Sequence, residues 1–182
     1  MKRVIVSSPA LAPEALAELK EWLGITTAGE DATLTALLKA ALESCEAFTG
    51  TLPIESVCEE ILPVSSGWTA LSTRPVQAIT QVEGIPALGA RFALAASAYA
   101  FELAVDGTGL VRTLDPGLAT RIAVRFTAGL GTGWAQLPQG LRHGVIRLAA
   151  YQYRQRESSG DEPHPPAAVA ALWRPWRRMR LA

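Results

Sequence analysis

Arg121-Ile-Ala-Val-Arg-Phe-Thr-Ala128 runs through Gly129-Leu-Gly-Thr-Gly-Trp134 and, past Pro138, into Leu141-Arg-His-Gly-Val-Ile-Arg-Leu-Ala-Ala-Tyr-Gln-Tyr-Arg-Gln-Arg-Glu157. The hydrophobic period changes along this stretch. In 121–128, Ile122, Val124 and Phe126 alternate with Arg121, Arg125 and Thr127, the period of a strand with one wet face. From Pro138 to about Glu157 the period is helical. Leu141, Val145, Leu148, Ala149 and Gln152 make one stripe, with Ile146, Ala150 and Tyr153 beside it. Arg142, Arg147, Arg154 and Arg156 take the other sides and are candidates for contacts between subunits. A chain that keeps the two periods in separate blocks reads as α+β.

Working outward, Pro13 to Leu23 predicts a short helix. Proline suits its first turn, Glu14 faces the positive end of the dipole, and Gly24 stops it. Asp31 to Thr49 predicts a longer one. Leu34, Leu37, Leu38, Ala41, Leu42, Cys45 and Phe48 fall on one face, Asp31 is placed to cap its start, and Gly50 follows. The pair suggests an antiparallel helical hairpin. Between 51 and 128 the pattern is short strands: Val57 to Leu62, a run opened by Arg74-Pro75-Val76, Tyr99 to Val105, and Leu110-Val111-Arg112 after the Asp106-Gly107 turn. These suggest one small antiparallel sheet. Residues 1–157 read as a body. Residues 158–182 read as a polar, proline-bearing linker, one or two helical turns from Ala167 to Trp173, and a basic end.

The net charge is zero but unevenly placed. Residues 1–90 carry 5 basic and 11 acidic side chains, and residues 91–182 carry 12 and 6, giving −6 and +6. Unlike halves suit self-association, although exposed charge also simply solvates a surface. Cys45 and Cys58 match no zinc or redox spacing, and Cys45 reads as a buried thiol. The apolar run in Met1-Lys-Arg-Val-Ile-Val-Ser7 is too short for a signal peptide, and no segment reaches the ~20 apolar residues of a membrane span. The expectation is a soluble protein made in the cytoplasm, with no membrane partner.

Motifs that carry chemistry are scarce. Gly129, Gly131 and Gly133 follow a strand, but Trp134 and Pro138 spoil the dinucleotide spacing and no Gly-Lys-Ser/Thr follows, so a connecting loop is the better reading. His143 and His164 have no partner at metal-ligand spacing, and His143 reads as a surface or interface residue. There is no nucleophile elbow. Glu59 and Glu60 point to opposite faces of a strand, a poor acid–base couple. The reading is a protein that is not an enzyme, with no cofactor and no metal.

The last eighteen residues, Pro165 to Ala182, hold two of the five tryptophans and four arginines, with no acid. Trp and Arg are enriched at the buried centres of interfaces, so this segment reads as built to dock. Two other readings stand beside it. The tail could fold back on its own body, or the Arg-rich C-terminal half could serve a nucleic-acid-binding module.

The order of pieces resembles the head–tail connector (adaptor) proteins of long-tailed phages and gene transfer agents. Four segments carry the resemblance: Leu16–Ile25 with Asp31–Gly50; Arg74–Val82; Ile122–Gly131 with Leu137–Leu141 and Ala149–Glu157; and Val169–Arg177. The resemblance implies a structural subunit of a ring, generally of twelve copies, lying between the portal and a stopper or other tail-side component. The ring would continue the DNA channel without binding DNA specifically, and the protein would end up in the particle at the head–tail junction. It assigns Leu172, Trp173, Arg174, Pro175, Trp176, Arg177 and Arg178 to portal docking. A linker at 158–166 can leave such a tail mobile until its partner appears.

Overall fold

The computed structural model describes residues 3–7, 10–155 and 165–177. The fold is α+β, as the two hydrophobic periods require. Two compact units form, each from separate stretches of chain. One holds the described residues within Met1–Pro9 and Glu55–Gly129, and the other those within Ala10–Ile54 and Leu130–Ala182.

The first unit is built of strands, with one short 3-10 turn at Ala96–Ala98. Strands β1 (Arg3–Ser7), β2 (Ser56–Pro63), β8 (Ala119–Ala128), β4 (Val76–Pro86) and β5 (Phe92–Ala93) form a five-stranded sheet in that spatial order. Strands β3 (Thr69–Ala70), β7 (Gly109–Thr113) and β6 (Tyr99–Leu103) form a second sheet. The single sheet expected from the sequence is therefore two, with every pairing antiparallel and made within one chain. The central position of β8 explains its composition. It pairs with β2 on one side and β4 on the other, and Ile122, Ala123, Val124, Phe126 and Ala128 are all buried. Its wetter face carries Arg125, whose guanidinium lies 3.5 Å from Glu59.

The acidic pair on β2 divides as its alternation demands. Glu59 faces the wet side and binds Arg91 at 2.8 Å. Glu60 faces the core and is fully buried. Its carboxylate accepts from the backbone N–H and hydroxyl of Ser72 (both 2.8 Å) and from the N–H and hydroxyl of Thr73 (2.9 and 2.7 Å). A buried carboxyl group is tolerated only with such partners.

The second unit is helical: α1 (Pro13–Leu23), α2 (Asp31–Thr49), α3 (Gln139–Gln155) and α4 (Ala167–Trp173). Gly24 and Gly50 close α1 and α2 in the left-handed region (φ 73° and 72°), where a side chain would be strained. Asp31 does not cap α2. It is the first helical residue, and its carboxylate takes Lys20 Nζ at 2.7 Å, tying α2 to α1. Leu19, Leu34, Leu38, Ala41, Cys45, Leu141, Val145, Leu148 and Ala149 build the shared core.

Cys45 is wholly enclosed there. Burial, with a smaller contribution from Glu46, pushes its thiol up to about 12. The unfolded thiol ionises near ~8.5, so the contribution of the neutral thiol to stability is complete below that pH and falls as the pH rises from there toward about 12. At pH 8, iodoacetamide is expected to modify Cys45 only after denaturant unfolds the protein. Labelling at equal rates with and without urea would show that the site opens in the native state.

Candidate functional site

The tail singled out in the sequence, and the helix it meets, form the site. Helix α4 follows Pro165 and Pro166, begins at Ala167, and is only seven residues long. A helix this short is not stable alone and must borrow packing. It does so through Val169 and Trp173, both buried. Trp173 lies against α3 at Gly144. A Cβ placed on Gly144 would come within 2.1 Å of the indole Nε1. The glycine is therefore the space that the ring fills. Nε1 donates to the Leu141 carbonyl at 3.4 Å, and Phe48 of α2 lies 5.9 Å away, ring centre to ring centre.

The chain turns after Trp173 in a short 3-10 segment, Arg174–Trp176. Arg174, Pro175, Trp176 and Arg177 are all exposed, Trp176 by 36%. Trp176 Nε1 lies over Gly140 of α3, and the Arg177 guanidinium sits 5.3 Å from the Phe48 ring centre. Leu172 is half-buried against the helical core. The seven residues proposed from the sequence for docking thus divide. Trp173 is inside its own unit, because Gly144 leaves a slot that fits an indole. Four residues face outward, and Arg178 lies outside the described residues.

The candidate interface arginines also divide. Arg142 hydrogen-bonds Glu18 and lies 5.7 Å from the Trp134 ring. Arg147 is half-buried, Arg154 is exposed, and Arg156 lies outside the described residues. Beside the tail, Glu18, Glu21, Trp22, Gln139, Gly140, Arg142, His143 and Ile146 line an open groove of about 740 Å³. His143 is exposed and meets the Trp22 ring edge-on at 5.2 Å. Glu18 accepts from Trp134 Nε1 at 3.1 Å as well as from Arg142. Within the groove, Glu18 and Arg142 engage each other.

The glycine loop does structural work. Leu130 and Gly131 donate to Leu52 and Pro53 carbonyls at 3.0 and 3.2 Å, and Trp134 is buried. Those two amides are spent on the chain itself and do not cradle an anion. His164 lies outside the described residues. Among the described residues no three His, Cys, Asp or Glu side chains gather where they could hold a metal ion, and no helix is long and apolar enough to cross a membrane. Much of the arginine complement is also engaged. Arg91 and Arg125 meet Glu59, Arg142 meets Glu18, and Arg112 stacks 4.7 Å from the Trp68 ring centre.

Chains of similar fold occur in solved particles. The chain is similar to a gene transfer agent neck chain. It matches a chain of the neck of an empty GTA particle, computed with C6 symmetry, at 26% identity and a TM-score of 0.77, covering 100% of this chain and 98% of that one. It matches a chain of the virion of a native gene transfer agent particle at 28% identity and a TM-score of 0.77, with the same coverage. A chain of the neck of a native GTA particle, computed with C12 symmetry, gives 26% and 0.74, again over 100% and 98%. No protein-family model matches the sequence, and no curated protein does. The full-length likeness supports a structural role in the neck of a phage-like particle.

Proposed function

We propose that this protein is a head–tail connector (adaptor) subunit. It forms a ring, of twelve copies, between the portal and a stopper or other tail-side component, and the ring continues the DNA channel. The full-length similarity to neck chains solved in rotationally symmetric particles carries this reading. Other features agree with it. A subunit that works by position needs no catalytic constellation. Residues 158–182 act as the docking tail, and many copies in a ring let each tail bind modestly while the whole holds firmly. DNA passes through without specific contacts. The subunit is made in the cytoplasm and incorporated at the head–tail junction.

Cryo-electron microscopy of particles copurified with the tagged chain tests this. The expected map shows the chain as a closed ring directly beneath the portal. Particles that lack the chain, together with a purified protein that stays monomeric, would overturn the assignment.

A further inference from the structure

We infer that Trp173 is a positioning residue, locked into the Gly144 slot of α3, and that the partner-binding face of the tail is Arg174, Trp176 and Arg177. This deepens the connector reading and rests on it. Three observations carry the division. Trp173 is fully buried and its ring occupies the space where a Gly144 side chain would stand, so it cannot touch a partner while the helical unit is intact. Arg174 through Arg177 follow at once and are exposed in an unbroken run. The segment from Pro165 to Arg177 contains no acidic residue to neutralise its arginines, and neither Arg174 nor Arg177 forms an ion pair with a carboxylate among the described residues.

The face has a definite chemistry. An indole about one-third exposed, between two exposed guanidinium groups, suits an apolar pocket rimmed by carboxylates. On the connector reading the portal supplies that pocket. Anchoring one residue earlier serves affinity. With Trp173 fixed, the backbone from 174 to 177 is already ordered, so binding need not immobilise the whole tail. This differs from a tail that stays mobile until it meets its partner.

The test compares full-length variants by their incorporation into particles. Arg174→Glu with Trp176→Ala and Arg177→Glu is expected to fold normally, by circular dichroism and thermal melting, and to be incorporated at least tenfold less than the wild type. Gly144→Ala changes no tail residue but evicts the indole, and incorporation is expected to fall severalfold. Adding Trp173→Leu to Gly144→Ala shrinks the side chain to fit the narrowed slot and is expected to restore much of the loss. A role for Trp173 in direct contact predicts the reverse, because leucine would remove the contact.

Wild-type incorporation of the triple variant would overturn the proposed face. Failure of Trp173→Leu to rescue a folded Gly144→Ala protein would overturn the lock. If the triple substitution instead abolishes self-association of the purified chain while portal binding persists, the pocket belongs to a second copy and the inference about the portal is wrong. A wild-type chain missing from particles would signal failure of the connector reading itself.

Discussion

Trp173→Ala is expected to destabilise the protein by about 3–5 kcal/mol, the usual range for truncating a large buried aromatic side chain. The site cannot easily collapse around the void. Gly144 has no side chain to swing into it, and Phe48 and the Leu141 carbonyl would each lose a partner. Helix α4 has only Val169 as a second buried residue, so losing the ring should free the whole tail and not merely loosen it. Limited proteolysis should then cut between Ala167 and Arg177 under conditions where the wild type resists. Trp176→Ala, three residues on, removes a ring that is 36% exposed and should cost about 1–2 kcal/mol, well below the loss at Trp173. Urea denaturation of both variants checks the contrast. Equal losses at the two positions would mean that the tail is not held by Trp173.

The two tryptophans show what a linear reading captures and what it misses. Their company of arginines marks an interface-like segment, and the expected helix from Ala167 to Trp173 agrees with α4 residue for residue. The sequence does not say which tryptophan points inward, because that depends on a slot in another helix. A signal was present. Gly144 stands in the middle of α3, where glycine costs about 1 kcal/mol relative to alanine, so its presence calls for a packing reason. Helices α1 and α2 were legible to their ends, because Gly24 and Gly50 are local stop signals. The longer strands were legible as strands but not as sheets, the two-residue β3 and β5 were not read, and the expected Tyr99–Val105 strand ends at Leu103. Alternation reports a half-buried surface without naming the neighbour. Strand β1 shows the limit. Val4-Ile5-Val6 reads only as a short apolar run, and its identity as a strand comes from pairing with residues such as Glu59, far along the chain.

The same non-locality separates position from mechanism in the likeness to neck chains. Periodicity fixed which residues face inward, whereas the proposed ring contacts depend on surfaces that the chain presents to others. Arg142 illustrates this. As an arginine off the apolar stripe it qualified as an interface candidate, yet its guanidinium is engaged by Glu18, which also holds the buried Trp134 indole. An arginine serving its own core network is not available on the same terms as exposed Arg154.

Glu60→Ala should be among the most damaging substitutions in the strand unit, by roughly 2–6 kcal/mol. The estimate follows from Thr73, whose N–H and hydroxyl are buried and would both be stranded, at about 1–3 kcal/mol each. Ser72 is exposed and can turn to water, so its two bonds to Glu60 add less. Glu60→Gln tests whether shape or acceptor capacity matters. The amide fills the same space, and with its oxygen in the Oε1 position it still accepts from both Thr73 groups and the Ser72 hydroxyl, leaving only the N–H of exposed Ser72 against the NH₂, so most of the stability should be kept. Glu59→Gln, one residue earlier on the wet face, breaks ion pairs to the partly exposed Arg91 and Arg125 and should cost less than about 1 kcal/mol. Adjacent acids on one strand would thus differ severalfold in consequence. Urea denaturation of the three variants measures the difference. A Glu60→Gln protein as unstable as Glu60→Ala would show that acceptance at Oε1 does not hold the Ser72–Thr73 segment.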